Sequence, residues 1–158
     1  MEFIHLERSA EHRPYVDKVV EWFYRWWGVP GGFKFEQVCE FVEHSLNEGT
    51  HLPQLFAAVE EGELLGVFAI SMSDDLITRC DVYPWLANVY VDEGLRGRGV
   101  GRFMLSKLDA VMDALGLPEL FLYTKHVGLY EKFGFEFVEP VNTYKEDSPI
   151  ERLYVKHR

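Results

Sequence analysis

The sequence has few cysteines, few basic residues and no long apolar run. Its two cysteines, Cys39 and Cys80, are too few for a disulfide scaffold in a chain of 158 residues. No stretch approaches the roughly 18 apolar residues of a membrane-spanning helix, and the first residues lack the apolar segment of a secretory signal. These absences argue against a disulfide-rich secreted protein and predict a cytoplasmic protein with no membrane partner.

Acidic residues outnumber basic residues by 26 to 16, and the net charge at pH 7 is −10. Binding to the phosphates of DNA or RNA requires a basic surface, so this balance argues against a nucleic-acid partner. A cationic small molecule suits an acidic protein better. The six histidines lack the spacing of a metal site, so we expect no metal. Neither cysteine belongs to a Cys–His–Asp arrangement, so we expect no thiol nucleophile.

Composition and periodicity predict one mixed α/β domain over residues 1–158. Apolar residues make up 47% of the chain, and no linker or repeat divides it. The predicted strands are 3–7, 55–59, 64–72, 84–91, 120–123, 135–138 and 153–155. The predicted helices are about 10–27, 35–47, 99–115 and 128–133, and the polar segment 73–83 has no assignment. This order implies an antiparallel hairpin and at least one parallel crossover.

A loop rich in glycine and arginine, Arg96–Arg102, separates a predicted strand from the most regular predicted helix. It matches neither the dinucleotide motif nor the Walker motif. Glycines nevertheless let backbone N–H groups approach a ligand, and a helix N-terminus adds partial positive charge. No acidic residue occurs from Leu95 to Leu108. The loop therefore predicts an anionic ligand, best a pyrophosphate; the alternative is a tight turn with solvated arginines.

Two motifs in this part of the chain resemble the GNAT superfamily of acetyl-CoA-dependent N-acetyltransferases. Arg96, Gly99 and Gly101 match the family's Gln/Arg-x-x-Gly-x-Gly/Ala loop, which follows a strand similar to the family's pantetheine-binding strand. The segment Leu129–Phe135 resembles the second motif, a tyrosine on a short helix before Gly-Phe. The motifs lie in family order, about 30 residues apart, which makes the joint signal specific over 85–138.

The resemblance implies a fold and a cosubstrate. The fold is a central, twisted, mostly antiparallel sheet of six to seven strands with a splayed parallel pair, flanked by about four helices. The cosubstrate is acetyl-CoA, whose pantetheine arm lies in the gap between the strands at 84–91 and 120–123. A β-bulge near Ala87 or Asn88 is the expected cause of that gap. The residues expected to bind the cofactor are Val89, Tyr90, Val91, Arg96, Gly97, Arg98, Gly99, Val100, Gly101 and Arg102.

The resemblance also implies direct attack of an amine on the thioester in a ternary complex. The backbone near Val89 would polarise the thioester carbonyl, and Tyr130 would be the general acid for the leaving sulfur. The alternative for Tyr130 is a half-buried helix tyrosine. Lys125 and His126 stand where the family often has an asparagine, so a cofactor contact there is open. The candidate bases, each alternatively a solvated charge, are Asp81, Asp92, Glu60 and His126.

Aromatic residues flank a Gly-Gly loop between the first two predicted helices. They are Trp26, Trp27, Phe33 and Phe35. In resembling proteins this loop overhangs the acceptor site, so one or two of these rings could wall it; the alternative is core packing at the helix ends. The acceptor is expected to be a small cationic amine, with a protein amine, a non-catalytic CoA or nucleotide sensor, and an adaptor that keeps only the fold as alternatives. A homodimer is common in resembling proteins.

Overall fold

Among the described residues, one sheet contains seven strands that correspond to those predicted from the sequence. The structure is a computed structural model that describes residues 1–73, 79, 81–143 and 149–158. The unassigned segment 73–83 lies largely outside the described residues, as does Cys80. The strands are β1 (Glu2–His5), β2 (Gln54–Glu60), β3 (Glu63–Ser71), β4 (Trp85–Val91), β5 (Glu119–Thr124), β6 (Phe135–Val141) and β7 (Glu151–His157).

Helices cover both faces of this sheet. Within the described ranges the α-helices are α1 (Arg13–Phe23), α2 (Phe35–His44), α3 (Val100–Leu105) and α4 (Leu108–Leu115). A π-helical turn extends α1 over Tyr24–Gly28, and 3₁₀ turns occupy Glu93–Leu95 and Tyr130–Phe133. No helix in this part of the chain is long and apolar enough to cross a membrane.

The strand order is β1-β2-β3-β4-β5-β7-β6, and every neighbouring pair is antiparallel except β4 and β5. The parallel pair shares one register position, Trp85 opposite Phe121. The N–H group of Phe121 donates to the carbonyl of Pro84 at 2.9 Å, which closes the same end of the pair. The two strands therefore separate toward their C-terminal ends, and the predicted splayed parallel pair is confirmed.

Alternating side chains of the strands supply an apolar layer on each face of the sheet. On β3, Phe68 packs with α3 and α4, whereas its neighbours Val67 and Ala69 pack with α1 and α2. Cys39 lies against this second layer as a half-buried side chain, and burial raises the pKa of its thiol. Both helix pairs thus bury their apolar stripes against one sheet, and the splayed edge of β4 lies between them.

The helix prediction is wrong in detail. The single helix predicted at 99–115 consists of α3 and α4, which meet at Ser106. The hydroxyl of Ser106 donates a 2.6 Å hydrogen bond to the Phe103 carbonyl, and such backbone bonding competes with continuation of the helix. The short helix predicted at 128–133 is a 3₁₀ turn that begins at Tyr130. The helix predicted from residue 10 begins at Arg13, where Pro14 suits the first helical turn.

Candidate active site

A β-bulge bends β4 at Asn88. Val67 of β3 pairs with Tyr90, whereas Ala69 pairs with Ala87, so β4 holds one extra residue between these two pairs. Asn88 adopts a φ of 52°, in the left-handed region that a bulge uses and that asparagine tolerates. The predicted bulge is therefore confirmed, and beyond it β4 runs free of β5.

The chain leaves β4 through a turn braced by side chains. Asp92 accepts a 3.0 Å hydrogen bond from the Gly94 N–H and thereby caps the 3₁₀ turn that follows. Arg96 folds back onto the strand, because its Nε donates to the Val91 carbonyl at 3.1 Å and its guanidinium lies 5.4 Å from the ring centroid of Tyr90. The Arg96 side chain thus fixes the loop to the strand.

Two glycines give the loop its shape. Gly97 and Gly99 have φ values of 80° and 85°, which strain any residue with a Cβ, although a Cβ at either position would meet no atom within 4 Å. The first hydrogen bond of α3 runs from the Phe103 N–H to the Gly99 carbonyl. The N–H groups of Val100, Gly101 and Arg102 therefore precede the first intrahelical bond and remain available to a ligand.

A depression of about 500 Å³ opens at this loop. Its lining residues are Val91, Leu95, Arg96, Gly97, Gly99, Val100, Gly101 and Arg102. All the predicted cofactor residues except Val89, Tyr90 and Arg98 line it, and Leu95 is an addition that the sequence reasoning missed. The depression offers free N–H groups, a helix N-terminus and basic side chains, the combination that holds a diphosphate.

Tyr130 begins the 3₁₀ turn after β5 and is buried on the α3–α4 side of the sheet. Its ring meets Phe135 edge-on, with centroids 5.9 Å apart. Burial raises the pKa of Tyr130 to about 12, so the hydroxyl keeps its proton at neutral pH. Among the described residues this hydroxyl has no hydrogen-bond partner, and it is free to donate to a ligand.

The carboxylates proposed as bases already serve other contacts. Glu60 binds the N-terminal ammonium at 2.9 Å, and Asp92 caps its turn. Asp81 accepts hydrogen bonds from Arg79, which lower its pKa and make it a weaker base. His126 is exposed, and its backbone N–H group donates to the Thr124 hydroxyl at 3.1 Å. The described part of the chain contains no His, Cys, Asp and Glu group that could hold a metal ion.

A second depression, of about 420 Å³, adjoins the first, and four of its nine lining residues are acidic. It could not be predicted from the sequence, because its members come from three separate segments of the chain. It shares Leu95 with the first depression, and Lys18 of α1 forms part of its wall. The acidic residues that line it are Glu60, Glu61, Glu63 and Asp92.

The aromatic residues near the Gly-Gly loop divide into two sets. The ring of Trp27 packs edge-on against Phe33 and Phe41, and Phe35 packs edge-on against Tyr24, although Phe33 and Phe35 are about as exposed as Trp26. Trp26 instead lies against β4, with its ring centroid 5.3 Å from that of Tyr90, and is 44% exposed. Trp26 is therefore the member of this group that contacts the strand beside the gap.

Comparisons with known proteins agree with this geometry. An uncharacterised N-acetyltransferase of Chlorobaculum tepidum is 26% identical over 89 residues, which is 56% of this chain and 54% of that relative. The match thus spans about half the length of the relative. Two solved structures are similar in fold over 99% of this chain and 97% of their own: an aminoglycoside 6′-N-acetyltransferase complexed with coenzyme A (TM-score 0.75, 16% identity) and one from Enterococcus faecium (0.73, 16%).

A third solved structure, a ribosomal-protein-alanine N-acetyltransferase from Brucella melitensis, covers 100% of both chains with a TM-score of 0.71 at 15% identity. At such identities the likeness concerns the fold alone. The sequence itself matches the model of the acetyltransferase (GNAT) family over residues 16–135, from α1 to the first residue of β6. Since this match includes the splayed strands, the glycine loop and Tyr130, the chain belongs to the acetyltransferase (GNAT) family.

Proposed function

We propose that this protein transfers an acetyl group from acetyl-CoA to the primary amine of a small cationic molecule, by direct attack in a ternary complex. The observation that carries the proposal is the splayed pair of β4 and β5 beside a helix with unpaired N–H groups. Such a gap can accept an extended chain along β4, and such a helix terminus can accept a diphosphate. Acetyl-CoA contains both groups in one molecule.

In this proposal the diphosphate lies against the start of α3, and the pantetheine arm runs along the free edge of β4. The arm takes the place that β5 would occupy beside β4. The amides of the arm can therefore form hydrogen bonds with the backbone groups of β4 that do not pair with β5. Basic side chains at the loop offset the charge of an anion bound to a protein of net charge −10. The residues proposed to bind the cofactor are Val89, Tyr90, Val91, Arg96, Gly97, Arg98, Gly99, Val100, Gly101 and Arg102.

The chemistry is displacement of a thiolate by an amine. The ammonium group of the acceptor first loses a proton to water, and its neutral nitrogen then attacks the thioester carbon. The carbonyl oxygen gains negative charge that the backbone N–H near Val89 stabilises. The C–S bond then breaks and the nitrogen loses a proton to become an amide. The overall exchange converts an ammonium ion and a thioester into an amide, a thiol and one proton. Water accepts that proton, because all three candidate carboxylates already hold structural contacts.

Tyr130 is proposed to donate a hydrogen bond to the departing sulfur. Burial raises the pKa of Tyr130 to about 12, so its hydroxyl is protonated when the C–S bond breaks. A protonated hydroxyl stabilises the developing thiolate as a hydrogen-bond donor and can supply the proton that the free thiol finally carries.

A cationic acceptor is supported by the acidic balance of the chain and by the exposed Trp26 ring against Tyr90. An aromatic face attracts ammonium groups, and the acidic surface steers cations toward the protein. The structures with similar folds include aminoglycoside acetyltransferases, whose substrates are of this kind.

The test is release of free thiol from acetyl-CoA in the presence of single amines. The panel contains an aminoglycoside, spermidine, lysine and a peptide with an N-terminal alanine. We expect the small cations to accelerate thiol release above the rate with acetyl-CoA alone, and the peptide to do so less. Binding of coenzyme A without acceleration by any amine would instead support a sensor, and absence of coenzyme A binding would overturn the proposal altogether.

A further inference from the structure

We propose that Tyr154 of β7 is a positioning residue that holds one end of the turn carrying Tyr130, while Lys156 of the same strand bonds to the other end. This inference rests on the proposed role of Tyr130 as the donor to sulfur. A 3₁₀ turn of four residues has few internal hydrogen bonds, so its orientation depends on what it is packed against. The two side chains bond to opposite ends of that turn.

Tyr154 holds the first half of the turn through Glu131, the residue after Tyr130. The Tyr154 ring is fully buried, and its hydroxyl donates a 2.7 Å hydrogen bond to the Glu131 carboxylate. The same hydroxyl accepts a 2.9 Å hydrogen bond from Arg152, whose guanidinium lies 3.9 Å from the ring centroid of Phe137. The donated bond lowers the pKa of Glu131, so the link is charge-assisted.

Lys156 holds the second half of the turn through its backbone. Its Nζ donates to the Phe133 carbonyl at 2.7 Å and pairs with Asp109 of α4 at 2.9 Å. The side chain is 9% exposed, and a lysine so buried requires partners of this kind. A Cβ at Gly134 would lie 2.8 Å from this Nζ, so the glycine after the turn also leaves room for the lysine.

The spacing along β7 explains how one strand reaches both ends of the turn. Arg152, Tyr154 and Lys156 alternate with residues of the opposite face, so their side chains lie on the same face of the sheet. The Tyr130 hydroxyl has no partner of its own among the described residues. Its direction is therefore set by the backbone of the turn and by the contact with Phe135.

The experiment compares Tyr154→Phe, which removes one oxygen and keeps the buried ring, with Tyr130→Phe and the double variant. Steady-state kinetics use acetyl-CoA and the amine of the panel with the fastest turnover, well below the melting temperature of each variant. We expect Tyr154→Phe to lower kcat about tenfold, since small displacements of a reacting group cost this much, and to leave the KM for acetyl-CoA unchanged. The double variant should have the same kcat as Tyr130→Phe alone, because Tyr154 is proposed to act through the Tyr130 hydroxyl.

A matched control breaks a different link between α4 and the end of β7. Asp113→Asn removes the stronger partner of Arg158, which pairs with Asp113 at 2.7 Å, lies 3.8 Å from Asp109 and, among the described residues, forms neither a hydrogen bond nor an ion pair with the turn. We expect this variant to have a slightly lower melting temperature and an unchanged kcat. Glu131→Gln keeps an acceptor oxygen for the Tyr154 hydroxyl and should retain most of the kcat that Glu131→Ala loses.

A second readout needs no acceptor amine. In protein labelled with 3-fluorotyrosine, the fluorine resonance of Tyr130 is assigned by its loss in Tyr130→Phe, and coenzyme A is the added ligand. We expect one sharp resonance in the wild-type sequence and a broadened or shifted one in Tyr154→Phe. A wild-type resonance and wild-type kcat in Tyr154→Phe, with Tyr130→Phe impaired, would overturn the positioning role alone. Wild-type kcat in Tyr130→Phe would overturn both this role and the proposed function of Tyr130.

Discussion

Gly101 faces Val91, and a Cβ at position 101 would lie 3.8 Å from Val91 Cγ2, an ordinary van der Waals distance. The fold therefore does not require glycine here, unlike Gly97 and Gly99 with their positive φ values. Both Gly101 and Val91 line the depression at the start of α3. The missing side chain thus leaves space on the side where the diphosphate is proposed to bind.

This relationship predicts different results for two substitutions at one position. Gly101→Ala should raise the free energy of unfolding by about 0.5–1 kcal/mol, because alanine favours a helix, and should change the Kd for coenzyme A little. Gly101→Leu should also fold but weaken coenzyme A binding by about tenfold or more, since its side chain fills the depression. Calorimetric titration and thermal melting measure both effects. Equal affinities for the two variants would contradict the proposed location.

The arginines of the loop should contribute less than its backbone. Arg98→Gln and Arg102→Gln should each weaken coenzyme A binding by about 0.5–1 kcal/mol, because exposed charges at a solvated loop are screened. The loss should shrink as salt is added. Arg8→Gln is the control, since Arg8 pairs with Glu43 of α2 instead. Titrations at low and high ionic strength provide the measurement, and affinities independent of both salt and arginine would be inconsistent with an electrostatic role for the loop.

Tyr130→Phe should separate catalysis from cofactor binding. Loss of the hydroxyl should lower kcat by about 100-fold or more, while the Kd for coenzyme A stays close to that of the wild-type sequence. The physical reason is that the donor acts on sulfur only as the C–S bond breaks. Thiol-release kinetics and calorimetry measure the two quantities, and a parallel loss of affinity and kcat would point to a binding role.

Burial of Tyr130 also predicts a dependence of stability on alkaline pH. Its pKa rises from 10.0 to about 12 on folding, so the neutral form is favoured in the native state. The resulting stabilisation, about 2–3 kcal/mol, is fully present below pH 10 and is lost as pH rises toward 12. Urea unfolding of the wild-type chain and Tyr130→Phe over this range isolates the contribution, because other groups cancel in the difference. Parallel curves would show that the tyrosine is not buried in solution.

Trp26→Ala should affect the acceptor rather than the cofactor. The ring is exposed and lies against Tyr90, so its loss should raise the KM for a cationic amine several-fold through the missing cation–π contact. Trp27→Phe is the comparison, because Trp27 packs against Phe33 and Phe41 within the helix layer. It should reduce the melting temperature and leave the KM unchanged. A reversal of these two results would place the acceptor elsewhere.

The sequence predicted all seven strands because each has an apolar stretch long enough to detect. It missed the full length of β7, whose outer positions include Arg152 and Lys156. These polar residues find partners only in the folded chain, where Lys156 meets Asp109 and the Phe133 carbonyl. A buried lysine does not contribute to an apolar pattern. The contacts of Lys156 with the turn that carries Tyr130 could therefore not be predicted from the sequence.

Similar reasons explain the results for the site. The bulge at Asn88 and the splayed pair were predicted from the resemblance of two motifs to the GNAT family. No single residue of β4 would have indicated either feature. The pairing of Glu60 could not be predicted, because its partner is the N-terminal ammonium, 59 residues away along the chain. The partners of Asp81 and Asp92, by contrast, are Arg79 and the Gly94 N–H group, each two residues away, so local turns as well as distant contacts decide which carboxylate is free.

The crystal structure of the protein with coenzyme A bound tests the central claim most directly. The account predicts the diphosphate within hydrogen-bond distance of the N–H groups of Val100, Gly101 and Arg102, with the pantetheine arm between β4 and β5. Coenzyme A bound elsewhere, with the gap beyond Trp85 and Phe121 still open, would contradict it.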